Sequence, residues 1–118
     1  MSKAIEEYKQ LIDDIVNLKD SAVATWVQEK GFPDISDNKK KNEILNSLTL
    51  EQKQFVAELI NDAKSSGIHD VLVYLNEQQL NEDLKIIKNN VELPTEPFGT
   101  EMNFDFIART EEDDWPVL

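Results

Sequence analysis

Cysteine is absent from the chain, which removes disulfides, thiolate metal centres and cysteine nucleophiles together. Glycine occurs three times, at Gly31, Gly67 and Gly99, too scattered for a phosphate-cradling loop or a dinucleotide fingerprint. Histidine occurs once, at His69, and arginine once, at Arg109; a lone imidazole does not build a zinc centre without several carboxylates helping. There is no serine-centred nucleophile elbow. No run approaches the roughly 20 apolar residues that span a bilayer. The opening Met1-Ser2-Lys3-Ala4-Ile5-Glu6-Glu7 brings acids where a secretory leader holds an apolar run of about 7 to 15 residues. The expectation is a cytoplasmic protein with no cofactor, no metal and no membrane partner.

What the chain has in excess is acid. Its 118 residues carry 24 Asp and Glu against 12 Lys and Arg, a formal charge of −12. Residues 1–60 hold 11 acids and 8 bases, residues 61–118 hold 13 and 4, so the C-terminal half is the acidic one. A field of that sign repels phosphates and anionic headgroups and attracts basic protein surfaces, over a Debye length of about 8 to 10 Å. The one basic cluster, Lys39-Lys40-Lys41, is a poor footprint for nucleic acid on so acidic a chain. Hydrophobic residues make up 40% of the sequence and fall in periodic blocks, so a single folded domain over 1–118 is expected rather than disorder.

Ile5, Tyr8, Ile12, Ile15, Ala22 and Trp26 keep helical spacing and predict one long amphipathic helix over about 2–30, closed by Gly31 and Phe32-Pro33. Such a helix can also pair with its own copy, giving a homodimer. Lys39-Lys40-Lys41 with Ile44, Leu45 and Leu48 predicts a short helix. Thr49-Leu50-Glu51-Gln52 is a capping box opening a further helix to about Ser65, with Gly67 ending it. Val71-Leu72-Val73-Tyr74-Leu75 fits either strand or helix, and Asn76-Glu77-Gln78-Gln79 favours helix. Residues 84–93 fit a helix or, slightly better, a hairpin about Asn89-Asn90, since Asn tolerates the positive φ of a type I′ turn. Met102, Phe104, Phe106 and Ala108 alternate with Asn103, Asp105, Ile107 and Arg109, and this period of two predicts a half-buried strand partnering that hairpin. Residues 110–118 are expected to be an acidic tail. The fold class is α+β, predominantly α: three or four helices with a small C-terminal antiparallel hairpin or strand element. The core is expected where Ile5, Ile12, Ile15, Ala22 and Trp26 meet Phe55, Leu59 and Ile60.

Few residues invite a chemical role. His69 beside Asp70 has the composition of an oriented general base, but adjacent residues seldom orient one another, and the plain reading is a helix start with an acid near its positive end. Glu92, Glu96, Glu101 and Asp105 flank a Pro-Gly loop yet match no calcium-binding pattern and are read as solvated acids. Arg109, among Glu101, Asp105, Glu111 and Glu112, fits a structural fork fastening the tail or the loop, or else an anchor for a partner. Trp115, next to Pro116, is expected to fold back onto the domain rather than stand bare. Phe98, Glu101, Arg109 and Trp115 are the candidate interaction residues.

Gly67-Ile68-His69-Asp70-Val71-Leu72-Val73-Tyr74-Leu75-Asn76-Glu77, Glu92-Leu93-Pro94, Pro97-Phe98-Gly99-Thr100-Glu101 and Asp114-Trp115-Pro116 resemble an uncharacterised group of short acidic bacterial proteins, over residues 67–116. The resemblance implies a bacterial cytoplasmic origin and carries no activity, cofactor or catalytic residue. Two functional expectations follow from the residues themselves. One is a non-catalytic inhibitor, immunity or adaptor protein that meets a basic protein surface. The other is a small metal-dependent or acid–base hydrolase using His69 with Asp70, Glu101 or Asp105. A nucleic-acid mimic would need the carboxylates laid out as a stripe.

Overall fold

The computed structural model describes residues 2–118. It is predominantly helical with a small antiparallel sheet, in chain order α1 (Lys3–Val16), α2 (Ala22–Thr25) running into a π-helical turn (Trp26–Lys30), a 3-10 turn (Ser36–Asn38), α3 (Lys39–Asn46), α4 (Leu50–Asn81), β1 (Ile87–Lys88), β2 (Val91–Glu92) and α5 (Met102–Thr110). Within the chain these elements group into two compact units. Unit 1 comprises Met1–Leu18 and Gly67–Leu118, and unit 2 comprises Lys19–Ser66.

The core of unit 1 is Tyr8 and Ile12 of α1, Leu72 of α4, and Met102 and Phe106 of α5, with Ile15, Val16, Ile68, Leu75, Ile86, Phe98 and Trp115 packed around it. Tyr8 and Ile12 stand four residues apart and so share one face of α1; both are fully buried. Burying each large side chain contributes about 1.5 to 3 kcal/mol before conformational entropy is subtracted. The hairpin forms as the Asn-Asn pair predicts. Asn89 and Asn90 take φ of 52° and 65°, the left-handed pair that a type I′ turn requires, and Ile87 faces Glu92 while Lys88 faces Val91. Glu7 of α1 fastens it, accepting from Lys88 Nζ at 2.8 Å and from Asn89 Nδ2.

In unit 2, Ala24, Val27, Leu45 and Ala57 are buried. Ser21 caps α2 by accepting from the Val23 amide and donates its own amide to Asn61 Oδ1 at 2.8 Å. Asn42 brackets the Phe32 backbone, accepting from its amide and donating to its carbonyl. The turn before it depends on Gly31, whose φ is 78° and whose missing Cβ would lie 3.0 Å from Asn42 Oδ1. The capping box at the start of α4 is closed in both directions: the Thr49 amide donates to Gln52 Oε1 and the Gln52 amide to Thr49 Oγ1.

Four expectations are corrected. The helix over 2–30 is two helices: α1 ends at Val16 with Asn17 as its C-cap, and the Ser21 hydroxyl, accepting from the Val23 amide, starts α2 afresh. Beyond the break the predicted stripe is not the buried face: Ala22 is exposed, and Ala24 and Val27 are buried instead. Second, α4 does not stop at Ser65 but passes through Gly67 to Asn81. A mid-helix glycine costs only about 0.5–1 kcal/mol, less than the burial of Ile68, Leu72 and Leu75 beyond it contributes. Third, residues 102–110 are helix, not strand. The buried face is Met102, Asp105 and Phe106, while Phe104 is 57% exposed; a buried carboxylate at position 105 had disguised the period. Last, Phe55 and Leu59 are 59% and 50% exposed and are not core partners of α1, whose apolar stripe meets Leu72, Met102 and Phe106.

Candidate functional site

Two polar knots in unit 1 tie distant parts of the chain together. In the first, the Tyr8 hydroxyl donates to Asp105 Oδ2 at 2.5 Å and the Thr100 hydroxyl donates to Oδ1 at 2.6 Å, so both oxygens of a nearly fully buried carboxylate are satisfied. Burial drives the Asp105 pKa upward; the hydrogen bonds from Thr100 and Tyr8 pull it back, and the Glu96 charge adds to the rise, leaving it raised. The Tyr8 phenol is also held well above its ordinary value, by burial first and then by its bond to Asp105. From α4, Asn76 accepts from the first amide of α5, Met102, at 2.9 Å and donates to Glu96 at 2.9 Å. These bonds hold the Pro-Gly loop, where Glu96 and Gly99 adopt positive φ.

In the second knot, Asp13 of α1 receives Arg109 Nε at 2.8 Å, Arg109 Nη2 at 3.3 Å and Trp115 Nε1 at 3.2 Å. Arg109 Nη1 donates to the Asp113 carbonyl at 2.7 Å, and the guanidinium carbon lies 5.1 Å from the Trp115 ring centre. The Trp115 ring meets Phe98 and Tyr8 at centroid distances of 5.3 and 6.2 Å, within the range of favourable aromatic pairs. The tail is thereby folded back, and a groove of about 160 Å³ opens between α5 and the returning chain, lined mainly by apolar atoms of residues that include Phe104, Ala108, Trp115 and Pro116, together with Asp113 and Asp114.

Of the residues singled out in the sequence, the fold brings Phe98, Arg109 and Trp115 together around Tyr8 and Asp13. Glu101 stays exposed at the start of α5, its side chain capping nothing. His69 and Asp70 lie within α4, not at a helix start, with Nδ1 3.6 Å from Oδ1 and Asp70 largely in solvent. The Asp105 carboxylate offered to the hydrolase reading is occupied by Tyr8 and Thr100. Among the described residues no group of three or more His, Asp or Glu is placed to hold a metal ion, and no helix is long and apolar enough to cross a membrane. Sequence reasoning missed Tyr8, Asp13, Asn76 and Thr100 as partners, because each acts across 5 to 102 positions of chain and none belongs to a spaced motif. The exposed Phe104 carried a signal, an apolar residue two positions from Met102 and Phe106, but only a helical reading separates it from them.

No curated protein and no solved structure is significantly similar to the chain. A family model described as a family of unknown function (DUF6547) matches residues 1–117, so the likeness is not confined to the C-terminal half. The chain therefore belongs to the DUF6547 family along nearly its whole length, N-terminal helices included.

Proposed function

We propose that this protein is a non-catalytic binding protein of the inhibitor, immunity or adaptor kind, and that unit 1 meets a basic surface on a partner protein. One observation carries the reading: the acid is partitioned by unit. Unit 1 has 16 Asp and Glu against 5 Lys and Arg, a balance of −11, while unit 2 has 8 against 7, a balance of −1. Of the five cations in unit 1, Lys88 and Arg109 are taken by Glu7 and Asp13. The remaining field draws cationic surfaces and speeds their encounter. The two knots support the same reading, since their polar groups are hydrogen-bonded to one another and hold the fold.

The test is capture by the immobilised full chain from lysate of the source organism at about 50 mM and about 500 mM salt, where the screening length falls severalfold. Basic proteins retained at the lower salt and released at the higher fit the proposal. Retention that ignores ionic strength, or retention of acidic proteins only, counts against it.

A further inference from the structure

We infer that the groove between α5 and the returning tail is a receptor for one cationic side chain, a lysine or arginine projecting from the partner. This rests on the basic-partner reading above and gives it an address. At about 160 Å³ the groove is well below the roughly 300 to 1,000 Å³ of sites that enclose drug-sized ligands, and its size suits a single long side chain. Such a chain has two parts, an apolar stem and a charged head. Phe104, Ala108, Trp115 and Pro116 offer the stem apolar contact, and aromatic faces attract the head as well. Asp113 and Asp114, also in the lining and exposed, place two negative charges beside it. The one cation in the lining, Arg109, is already matched by Asp13 and the Asp113 carbonyl, so it leaves the acids free to act on a newcomer.

The wall is also fixed before anything binds. Trp115 is held by its bond to Asp13, by two aromatic neighbours and by the Arg109 guanidinium. A site that needs no ordering keeps more of its contact energy as affinity. Phe104, 57% exposed at the edge of the groove, is open to contact with an incoming stem.

The chain has two tryptophans, Trp26 in unit 2 and Trp115 in the groove, so their indole N–H resonances separate the two places. The full chain is titrated with a blocked lysine octamer and a blocked serine octamer at low salt. The lysine octamer is expected to shift the Trp115 resonance and not that of Trp26, and the serine octamer neither. Replacing Asp113→Asn with Asp114→Asn should weaken binding by about tenfold or more, whereas the charge-matched pair Glu82→Gln with Asp83→Asn, outside the groove, should weaken it by less than about threefold. The side chains of 113 and 114 can be changed without touching the backbone bond to Arg109.

If the lysine octamer binds while Trp115 is silent, or if the two pairs of substitutions weaken it equally, the groove is not the receptor and only the general attraction of unit 1 remains. An equal response to the serine octamer also overturns the inference. Failure of the lysine octamer to bind at all removes both the groove and the basic-partner reading.

Discussion

Tyr8 and Asp105, 97 positions apart in the chain, form a buried hydrogen bond that joins α1 to α5. The bond does more than link two helices. It makes burial of a carboxylate tolerable, since an unpaired buried acceptor costs about 1 to 3 kcal/mol, and more if charged. Tyr8→Phe keeps the ring and its contacts with Phe98 and Trp115 but strips Asp105 of one donor. We expect a loss of about 2 kcal/mol in urea unfolding, with the Thr100 bond preventing collapse. An unchanged midpoint would mean that the carboxylate finds water when the phenol is gone.

The pH dependence has two opposing limbs. The Asp105 pKa is raised in the fold, so the native state holds its proton longer than the unfolded chain. Its stabilising contribution is complete below an ordinary aspartate value of about 3.9 and is lost as pH climbs through the raised one. Glu7 is shifted the other way, chiefly by Lys88 and then by Asn89; its contribution is present above about 4.3 and is lost as pH drops through the lowered value. Unfolding midpoints measured from pH 3 to pH 8 should therefore flatten on the upper side in Asp105→Asn and on the lower side in Glu7→Gln. The reverse assignment of the two limbs would contradict the geometry. Tyr8, whose phenol is also raised, adds a further loss above about pH 10, which Tyr8→Phe abolishes.

Asp13 collects three N–H donors from Arg109 and Trp115, and its removal should release the tail. For Asp13→Ala we expect the Trp115 emission to shift to the red and stability to fall by about 1 to 2 kcal/mol, at the lower end of charged hydrogen bonds because the site is partly open to water. Trp26 supplies a constant background. Emission identical to the parent would show that aromatic stacking alone seats the tail.

The two glycines of α4 and of the turn after residue 30 should respond to alanine with opposite signs. Gly67 has open space where a Cβ would lie and sits inside a helix, so Gly67→Ala should stabilise by about 0.5 to 1 kcal/mol. Gly31 combines a φ of 78° with a 3.0 Å approach to Asn42, so Gly31→Ala should destabilise by at least about 1 kcal/mol. Thermal melts of both variants check the pair, and equal signs would refute the account of one position or the other.

Some local chemistry was legible in the sequence, the stop read at Gly67 excepted, and distant chemistry was not. The Thr49–Gln52 box, the Asn89-Asn90 turn and the stop at Gly31 are decided by neighbours within a few positions, and each forms as its residues imply. The α5 helix was misread as a strand because Asp105 counts as a surface residue until Tyr8 and Thr100 are known to face it. The long first helix was overextended because periodicity records which face is apolar and does not register the five-residue interruption between Val16 and Ala22. For the candidate site, Arg109 and Trp115 drew notice by rarity, one arginine and one of two tryptophans, whereas Asp13, their common partner, is one acid among 24 and has nothing local to distinguish it.

Unit 1 is assembled from both sides of an insertion, with Tyr8 and Ile12 near one end and Met102 and Phe106 near the other. During synthesis the first helix emerges from the ribosome long before its packing partners exist, so its apolar stripe waits uncovered while residues 19–66 are made. Unit 2, contiguous in the chain, is free of that delay. The order of folding is thus written into the connectivity, with the nearly neutral unit able to close first and the acidic one only once residues 67–118 have followed.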